Sequence, residues 1–265
     1  MHRMLRDTPV LLGAAVGALY LKERRARARI ERLGAATLET LLDAIDANNP
    51  ETGAHVRRVA EYALILASSA DVDERMCRSV ERIALFHDIG KIDGALTDII
   101  NETTKLSPAD RRAVMTHPRR GADVLQPLTA FYPDLADGVL SHHERWDGKG
   151  YPRHLKGSRI PLAARIVAIA DTFDAVTHSR SYSSARSLKA AIRVLVDGRG
   201  TQFDPDLVDL FLSPPVMECV SESLHKIKGP KRSAKTRKAE KGSQGVPDIT
   251  FRWRTPAGEQ QPAGR

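Results

Sequence analysis

A chain of 265 residues, 42% apolar and 28% charged, holds enough material for one sizeable core, and its ordinary composition excludes wholesale disorder. The net charge of +8 sits at the ends: residues 1–30 carry +5, residues 226–265 carry +8, and the stretch between them carries −5. An acidic middle excludes a fold-wide nucleic-acid surface and leaves any such role to the two ends.

Helical periodicity runs through the chain, while strand alternation and hairpin turns are nearly absent, so the expected fold class is all-α. Thr8 to Leu21 carries no charge and is shorter than the ~20 residues that a spanning helix needs. Lys22-Glu23-Arg24-Arg25 follows at once, a poor context for signal cleavage. The segment reads first as a soluble or partner-packed helix, second as a shallow membrane anchor and last as a cleaved signal. Residues 9–21 are therefore expected to contact a partner helix or a membrane, which places the protein in the cytoplasm or at the inner face of the membrane. Ile30, Leu33, Leu38, Leu41, Leu42 and Ile45 read as one apolar face of a long N-terminal helix.

Asn49-Pro50-Glu51 then predicts a new helix, with Asn49 as its N-cap and Pro50 as its first residue. Val56, Val59, Ala63, Leu66 and Ala67 supply its apolar face. Further helices are predicted over about 74–88, from Ser107-Pro108 to about Leu125, and over 131–143, 161–179, 184–196 and 205–212. Asp147-Gly148-Lys149-Gly150-Tyr151-Pro152 is a punctuated loop. After Ser213-Pro214-Pro215 the pattern decays, and Lys226 to Lys241 holds eight basic residues with too few apolar ones to fold. The expected division is an apolar and basic segment over 1–30, one domain over 31–220, and a disordered basic tail over 221–265 that serves solubility or an acidic partner. Cys77 and Cys219 match no zinc pattern and read as buried free thiols of a reducing compartment.

Chemistry enters through a scattered set of histidines and acids. Glu51 and His55 are four apart, so both project from one helix face. His87-Asp88 ends an apolar helix at the Gly90 turn, His117 precedes Pro118, and His142-His143 opens the loop. Adjacent helical residues point about 100° apart, so each adjacent pair suits two metal ions better than one. Asp171 and Asp174 lie on one face of the helix after Pro161, and spacing leaves both open. Imidazole and carboxylate donors suit Fe, Mn, Zn or Co and exclude a soft Cu(I) site. Metal pairs held this way typically hydrolyse phosphoesters, and Lys91 and Arg180 are cations suited to phosphate.

With these residues the chain resembles the HD-GYP subgroup of the HD-domain metal phosphohydrolases from about Asp46 to Leu212. The resemblance rests on His87-Asp88-Ile89-Gly90-Lys91, on His142-His143-Glu144-Arg145-Trp146-Asp147-Gly148-Lys149-Gly150-Tyr151-Pro152, and on Gly200-Thr201-Gln202-Phe203-Asp204-Pro205. It implies a helical bundle with two or three divalent metal ions, Fe or Mn, that hydrolyses cyclic di-GMP to a linear dinucleotide or GMP through a metal-bridging hydroxide. The implied metal ligands are His55, His87, Asp88, His117, His142, His143 and Asp171, with Glu51 as the extra carboxylate of members with a third metal. Asp88 and Lys91 carry the catalytic roles, and Lys91, Tyr151 and Arg180 contact substrate. His2, His154, His178 and His225 match no ligand position. Arg180-Ser181-Tyr182-Ser183 departs from the family's Arg-Pro-Tyr followed by Arg or Lys, and Ile92 to Asp98 carries an apparent one-residue insertion. These departures bear on the substrate, so a hydrolase of another, mixed cyclic nucleotide is the alternative, beside a receptor that binds the dinucleotide without turnover. A homodimer is a further expectation.

Overall fold

The computed structural model describes residues 4–92, 107–178 and 187–228, with side chains described from Tyr20 onward except at Arg27 and Ala28. Asn49 separates a 45-residue helix, α1 (Met4–Asn48), from α2 (Pro50–Ser69). Its side-chain oxygen accepts from the backbone N–H of Glu51 at 2.9 Å and of Thr52 at 3.2 Å, and Pro50 takes the first helical position. The chain continues through α3 (Glu74–Phe86), α4 (Pro108–Val114), α5 (His117–Leu125), α6 (Leu135–Ser141), α7 (Leu162–Thr177), α8 (Leu188–Gly198), α9 (Pro205–Phe211) and α10 (Pro214–Lys228). Among the described residues there is no strand, only an isolated bridge between Arg199 and Phe203.

The bundle is built around α2 and α7. On α2, Val56, Val59, Ala63, Leu66 and Ala67 are all buried, as their spacing requires, against α3, α7 and α10. On α7, Ile166, Val167, Ile169, Ala170 and Phe173 are fully buried. Phe173 meets the ring of Tyr62 edge-on at 5.1 Å and that of Phe211 at 5.2 Å, so three distant segments close on one side chain. Phe173→Ala is expected to cost about 3–5 kcal/mol, the range for deleting a buried aromatic ring.

The structure differs from the expectations at five points. Ile30 and Leu33 are 48% and 65% exposed, whereas Leu38, Leu42 and Ile45 are buried. At about 100° per residue, Leu33 lies well off the stripe through Leu38, and the last small residue of α1 to face the bundle is Gly34, beside Phe131 and Tyr132. The helix expected from Ser107 to Leu125 is broken into α4 and α5, because Pro118 has no N–H for the carbonyl of Val114. The boundary expected at residue 220 falls inside α10, where Val216, Val220 and Leu224, spaced four apart, are buried on the core. The cysteines are not buried thiols: Cys219 is exposed and Cys77 half-buried. The boundary expected at residue 30 likewise lies within the unbroken α1. Arg180, Ser181, Ser183, the insertion from Asp93 onward and the tail after Lys228 lie outside the described residues.

Candidate metal centre

Three of the histidines reach the centre by the same local device. Helix ends leave their last carbonyls without intrahelical partners. His87, just past α3, donates Nδ1–H to the Ala84 carbonyl at 2.8 Å. His142, just past α6, does the same to Val139 at 2.6 Å. His117 bonds Val114 at 2.7 Å, the carbonyl that Pro118 leaves free. In each case the partner is three residues back, the proton is fixed on Nδ1, and Nε2 is left with its lone pair pointing inward.

His55 is held differently. Its Nδ1 lies 2.6 Å from a carboxylate oxygen of Asp174, on α7 and 119 residues away in sequence. Asp174 is fully buried, accepts two bonds from Arg58 at 2.7 and 3.0 Å, and meets His178 Nδ1 at 2.9 Å. Asp171, one turn earlier on α7, faces the centre instead, with its carboxylate 3.3 Å from His55 Nε2 and 3.8 Å from His87 Nε2. The choice that spacing left open is thereby assigned: Asp171 stands among the ligand atoms and Asp174 behind them. Sequence reasoning missed Arg58 and His178 as parts of the site and weighed Asp174 only as a ligand.

The ligand atoms form two groups, each with its atoms within 4.8 Å of one another: Asp88, His117, His142 and His143 in one, and His55, His87 and Asp171 in the other. The Asp88 carboxylate joins them. One oxygen is 3.3 Å from His117 Nε2, and the other is 3.5 Å from His87 Nε2 and 4.0 Å from His55 Nε2. Gly90 permits this, since a Cβ there would sit 2.1 Å from the His117 carbonyl oxygen and drive the Asp88 turn off α5.

The centre fits metal ions. His87 Nε2 is buried without a hydrogen-bond partner among the described residues, an arrangement that costs free energy unless something accepts its lone pair. Burial pushes the imidazoles of His87 and His142 below their ordinary value, and lowers that of His143 to about 3, so all three are neutral and suited to a metal ion. Burial alone would raise the Asp88 carboxyl, but Lys91, His87 and His117 hold it well below the usual carboxylate range. Lys91 Nζ lies 2.7 Å from that carboxylate at the edge of the centre. Glu51 is exposed on α2, one turn before His55, and stands outside both groups.

The loop after α6 roofs the first group. Tyr151 stacks on His143 with ring centroids 4.9 Å apart and donates its backbone N–H to the His143 carbonyl at 3.2 Å. The buried Glu144 carboxylate accepts from the backbone N–H of Arg153 at 2.6 Å and of Leu155 at 2.9 Å, closing the loop. Gly150 passes so near the Arg145 backbone that a Cβ would stand 2.3 Å from its nitrogen. Gln202 and Thr201 accept from the backbone N–H of Trp146 and Asp147 at 3.2 and 2.8 Å, so the segment before α9 braces the loop from behind.

The chain is similar in sequence and fold to known proteins. The family profile described as HD domain matches residues 39–207. The cyclic di-GMP phosphodiesterase response regulator RpfG of Xanthomonas campestris is 37% identical over 199 residues, which are 74% of this chain and 52% of that protein. The 3'3'-cGAMP-specific phosphodiesterase 2 of Vibrio cholerae is 36% identical over 174 residues, 65% of this chain and 33% of that one. The chain thus spans about half or less of the curated relatives it matches. The HD domain of the Listeria monocytogenes phosphodiesterase PgpH, solved with cyclic di-AMP, shares the fold at a TM-score of 0.51 and 19% identity, over 73% of this chain and 99% of that one.

Proposed function

The chain belongs to the HD-domain family, and from that premise we propose that it is a metal-dependent phosphodiesterase that hydrolyses cyclic di-GMP to the linear dinucleotide or GMP. The observation that carries the proposal is the pair of largely buried ligand groups meeting at the Asp88 carboxylate. Two or three divalent ions, Fe or Mn, supply Lewis acidity toward a phosphodiester when bound and lower the pKa of water. The side chains do the rest. Asp88 and the neutral imidazoles hold the two groups in register. Lys91, a quarter exposed at the edge, offers an ammonium to a phosphate oxygen as negative charge develops. Tyr151 presents the ring face turned away from His143 to a base. Arg180 is assigned to substrate phosphate on the family pattern alone. Glu51, close in sequence to His55, is the candidate ligand of a third ion.

A second reading, hydrolysis of a mixed cyclic dinucleotide, is favoured by the relatives named as 3'3'-cGAMP-specific. One experiment tests both. Full-length protein reconstituted anaerobically with Fe(II) or Mn(II) is incubated with cyclic di-GMP and with 3'3'-cGAMP, and products are separated by chromatography. Linear product from cyclic di-GMP supports the proposal, and turnover of 3'3'-cGAMP alone assigns the second reading. Tight binding without product would make the chain a receptor and overturn both.

The ends carry partner roles in the same proposal. Tyr20 and Leu21 are exposed beside exposed Lys22, Arg24 and Arg25, a basic and apolar surface suited to anionic lipid or a partner helix contacting residues 9–21. No helix among the described residues is long and apolar enough to cross a membrane. Comparing membrane fractionation and sedimentation of the full chain with a form lacking residues 1–30 separates lipid contact from a homodimer. The 226–241 run is assigned to an acidic partner by its charge.

A further inference from the structure

The resemblance that identifies the ligands gives no role to Asp174, yet it is among the most completely enclosed charges in the molecule. It is 0% exposed and sits between α2 and α7, the two helices around which the bundle is built. Its two oxygens take four contacts: Arg58 Nε and Nη2 at 2.7 and 3.0 Å, His55 Nδ1 at 2.6 Å and His178 Nδ1 at 2.9 Å. A buried carboxylate is costly unless it is paired, and this one is paired by a forked guanidinium that fixes its plane. Arg58 lies three residues beyond His55 on the same face of α2, so one helix supplies both the metal-facing imidazole and the clamp on its orienting partner.

The geometry points to Asp174 as a positioning residue that acts through His55, and we propose that it sets the metal affinity of the His55–His87–Asp171 group while leaving the other group unaffected. The proposal rests on the metal-centre reading above. An acceptor on Nδ1 holds the His55 proton there and leaves Nε2, 3.3 Å from Asp171, as a lone-pair donor. His87, His117 and His142 obtain the same result from their own backbones, so none of them depends on Asp174. His55 cannot do so, because it lies in the first turns of α2, where the nearby carbonyls already accept helical bonds. Asp174 therefore does for one ligand what helix ends do for three. His178, just past the end of α7, adds a third donor to the same carboxylate and ties the chain leading to Arg180 to the rear of the centre.

The test is a Mn(II) titration of the full chain, stripped with chelator and followed by calorimetry, with thermal unfolding measured in parallel. Wild type is expected to take up at least two ions. Asp174→Asn is expected to weaken one of them by about 10–100-fold, the range for removing a ligand's orienting partner, and to leave the other unchanged. His55→Gln should weaken the same ion, and Asp174→Asn added to His55→Gln should cause no further loss. A general structural role would instead weaken both ions, or add its loss to that of His55→Gln. If Asp174→Asn lowers the unfolding midpoint too far to titrate, Arg58→Gln, which keeps the carboxylate and removes its clamp, should weaken the same ion by a smaller factor. Two sites of wild-type affinity in either folded variant overturn the proposal. A wild-type chain that takes up no Mn(II) would instead overturn the metal-centre reading itself.

Discussion

His87, His117 and His142 on one side, and His55 on the other, reach the same centre by different routes. Each of the first three is oriented by a carbonyl three residues back, at a point where a helix has just ended. Such a bond forms with the local backbone and needs no tertiary partner. His55 sits inside a helix and is oriented by Asp174, whose own position depends on α2 packing against α7. The first three ligands are therefore properties of their segments, whereas the fourth is a property of the fold. The comparison predicts that perturbing local turns will damage single ligands, and that loosening the bundle will act first on His55.

The largest effect should come from the residue that belongs to both halves. Asp88→Asn removes the charge facing His117 on one side and His55 and His87 on the other. It is expected to lower cyclic di-GMP turnover by more than ~100-fold, beyond the range for an outer partner, and to reduce occupancy at both groups by metal analysis. Loss of one metal with the other fully retained would show that Asp88 does not join the groups. Lys91→Ala should separate the cation from the ligands: kcat falls by about 10–100-fold with metal content unchanged, because its contact with phosphate strengthens as charge develops. A rise in KM alone would assign Lys91 to uniform substrate binding.

Pro118→Ala probes the local route directly. It restores an N–H able to claim the Val114 carbonyl, which now fixes His117 at 2.7 Å. The ion held by Asp88, His117, His142 and His143 should weaken by up to ~10-fold while the ion at His55 is unchanged, as read by Mn(II) titration. Equal weakening of both would mean that the local and long-range routes are not separable.

The same division decides how much could be read from the chain. The Asn49–Pro50 start and the α2 face were legible because each depends on neighbours within a few residues, whereas the seven clustered candidate ligands were legible only through the family pattern. His117 is marked as a candidate ligand by the family pattern, and Pro118, four residues after Val114, is the sequence signal for the helix break that orients it. The roles of Asp174, Arg58 and His178 were not legible, since the contacts of Asp174 with His55 and Arg58 span more than 110 residues and nothing local marks a carboxylate as an orienting group rather than a ligand. Spacing alone left Asp171 and Asp174 equivalent for that reason. The helix α10 is hard to read from sequence because its apolar residues, Val216, Val220 and Leu224, are sparse and α10 is buried by packing on α2 and α9.

Stability against pH sharpens the contrast further. The His143 imidazole is lowered to about 3 by burial, beside His117 and Lys91, against roughly 6.5 in an unfolded chain. Between those values the unfolded state binds the extra proton, so this contribution to stability is complete above about pH 6.5 and is lost progressively as pH falls toward about 3. His87 and His142, also lowered, act in the same direction. Asp88 and Asp174, held below the ordinary carboxylate value, add their loss only below about pH 4. Urea unfolding of metal-free protein at pH 7.5 and pH 5 should therefore differ by a histidine contribution, and His143→Gln should reduce that difference by roughly 2 kcal/mol, 1.5 pH units at one site. No change would place the His143 ring in water.

The smallest effect is expected at the C-terminal end, beyond the packed part of α10. Leu224 is 6% exposed and Ser223 2% exposed, so the packed part of α10 extends past residue 220 and braces α2, the helix that carries His55. Truncation after Lys228 removes residues 229–265 and is expected to leave turnover within about twofold, since that segment carries none of the candidate ligands. Truncation after Leu212 removes α10 as well. It should lower the unfolding midpoint and, through α2, weaken the ion at His55 before the ion at His117, whose orientation comes from its own backbone. If both truncations leave the two ions equally bound, α10 does not support α2, and the dependence of His55 on the fold rests on α7 alone.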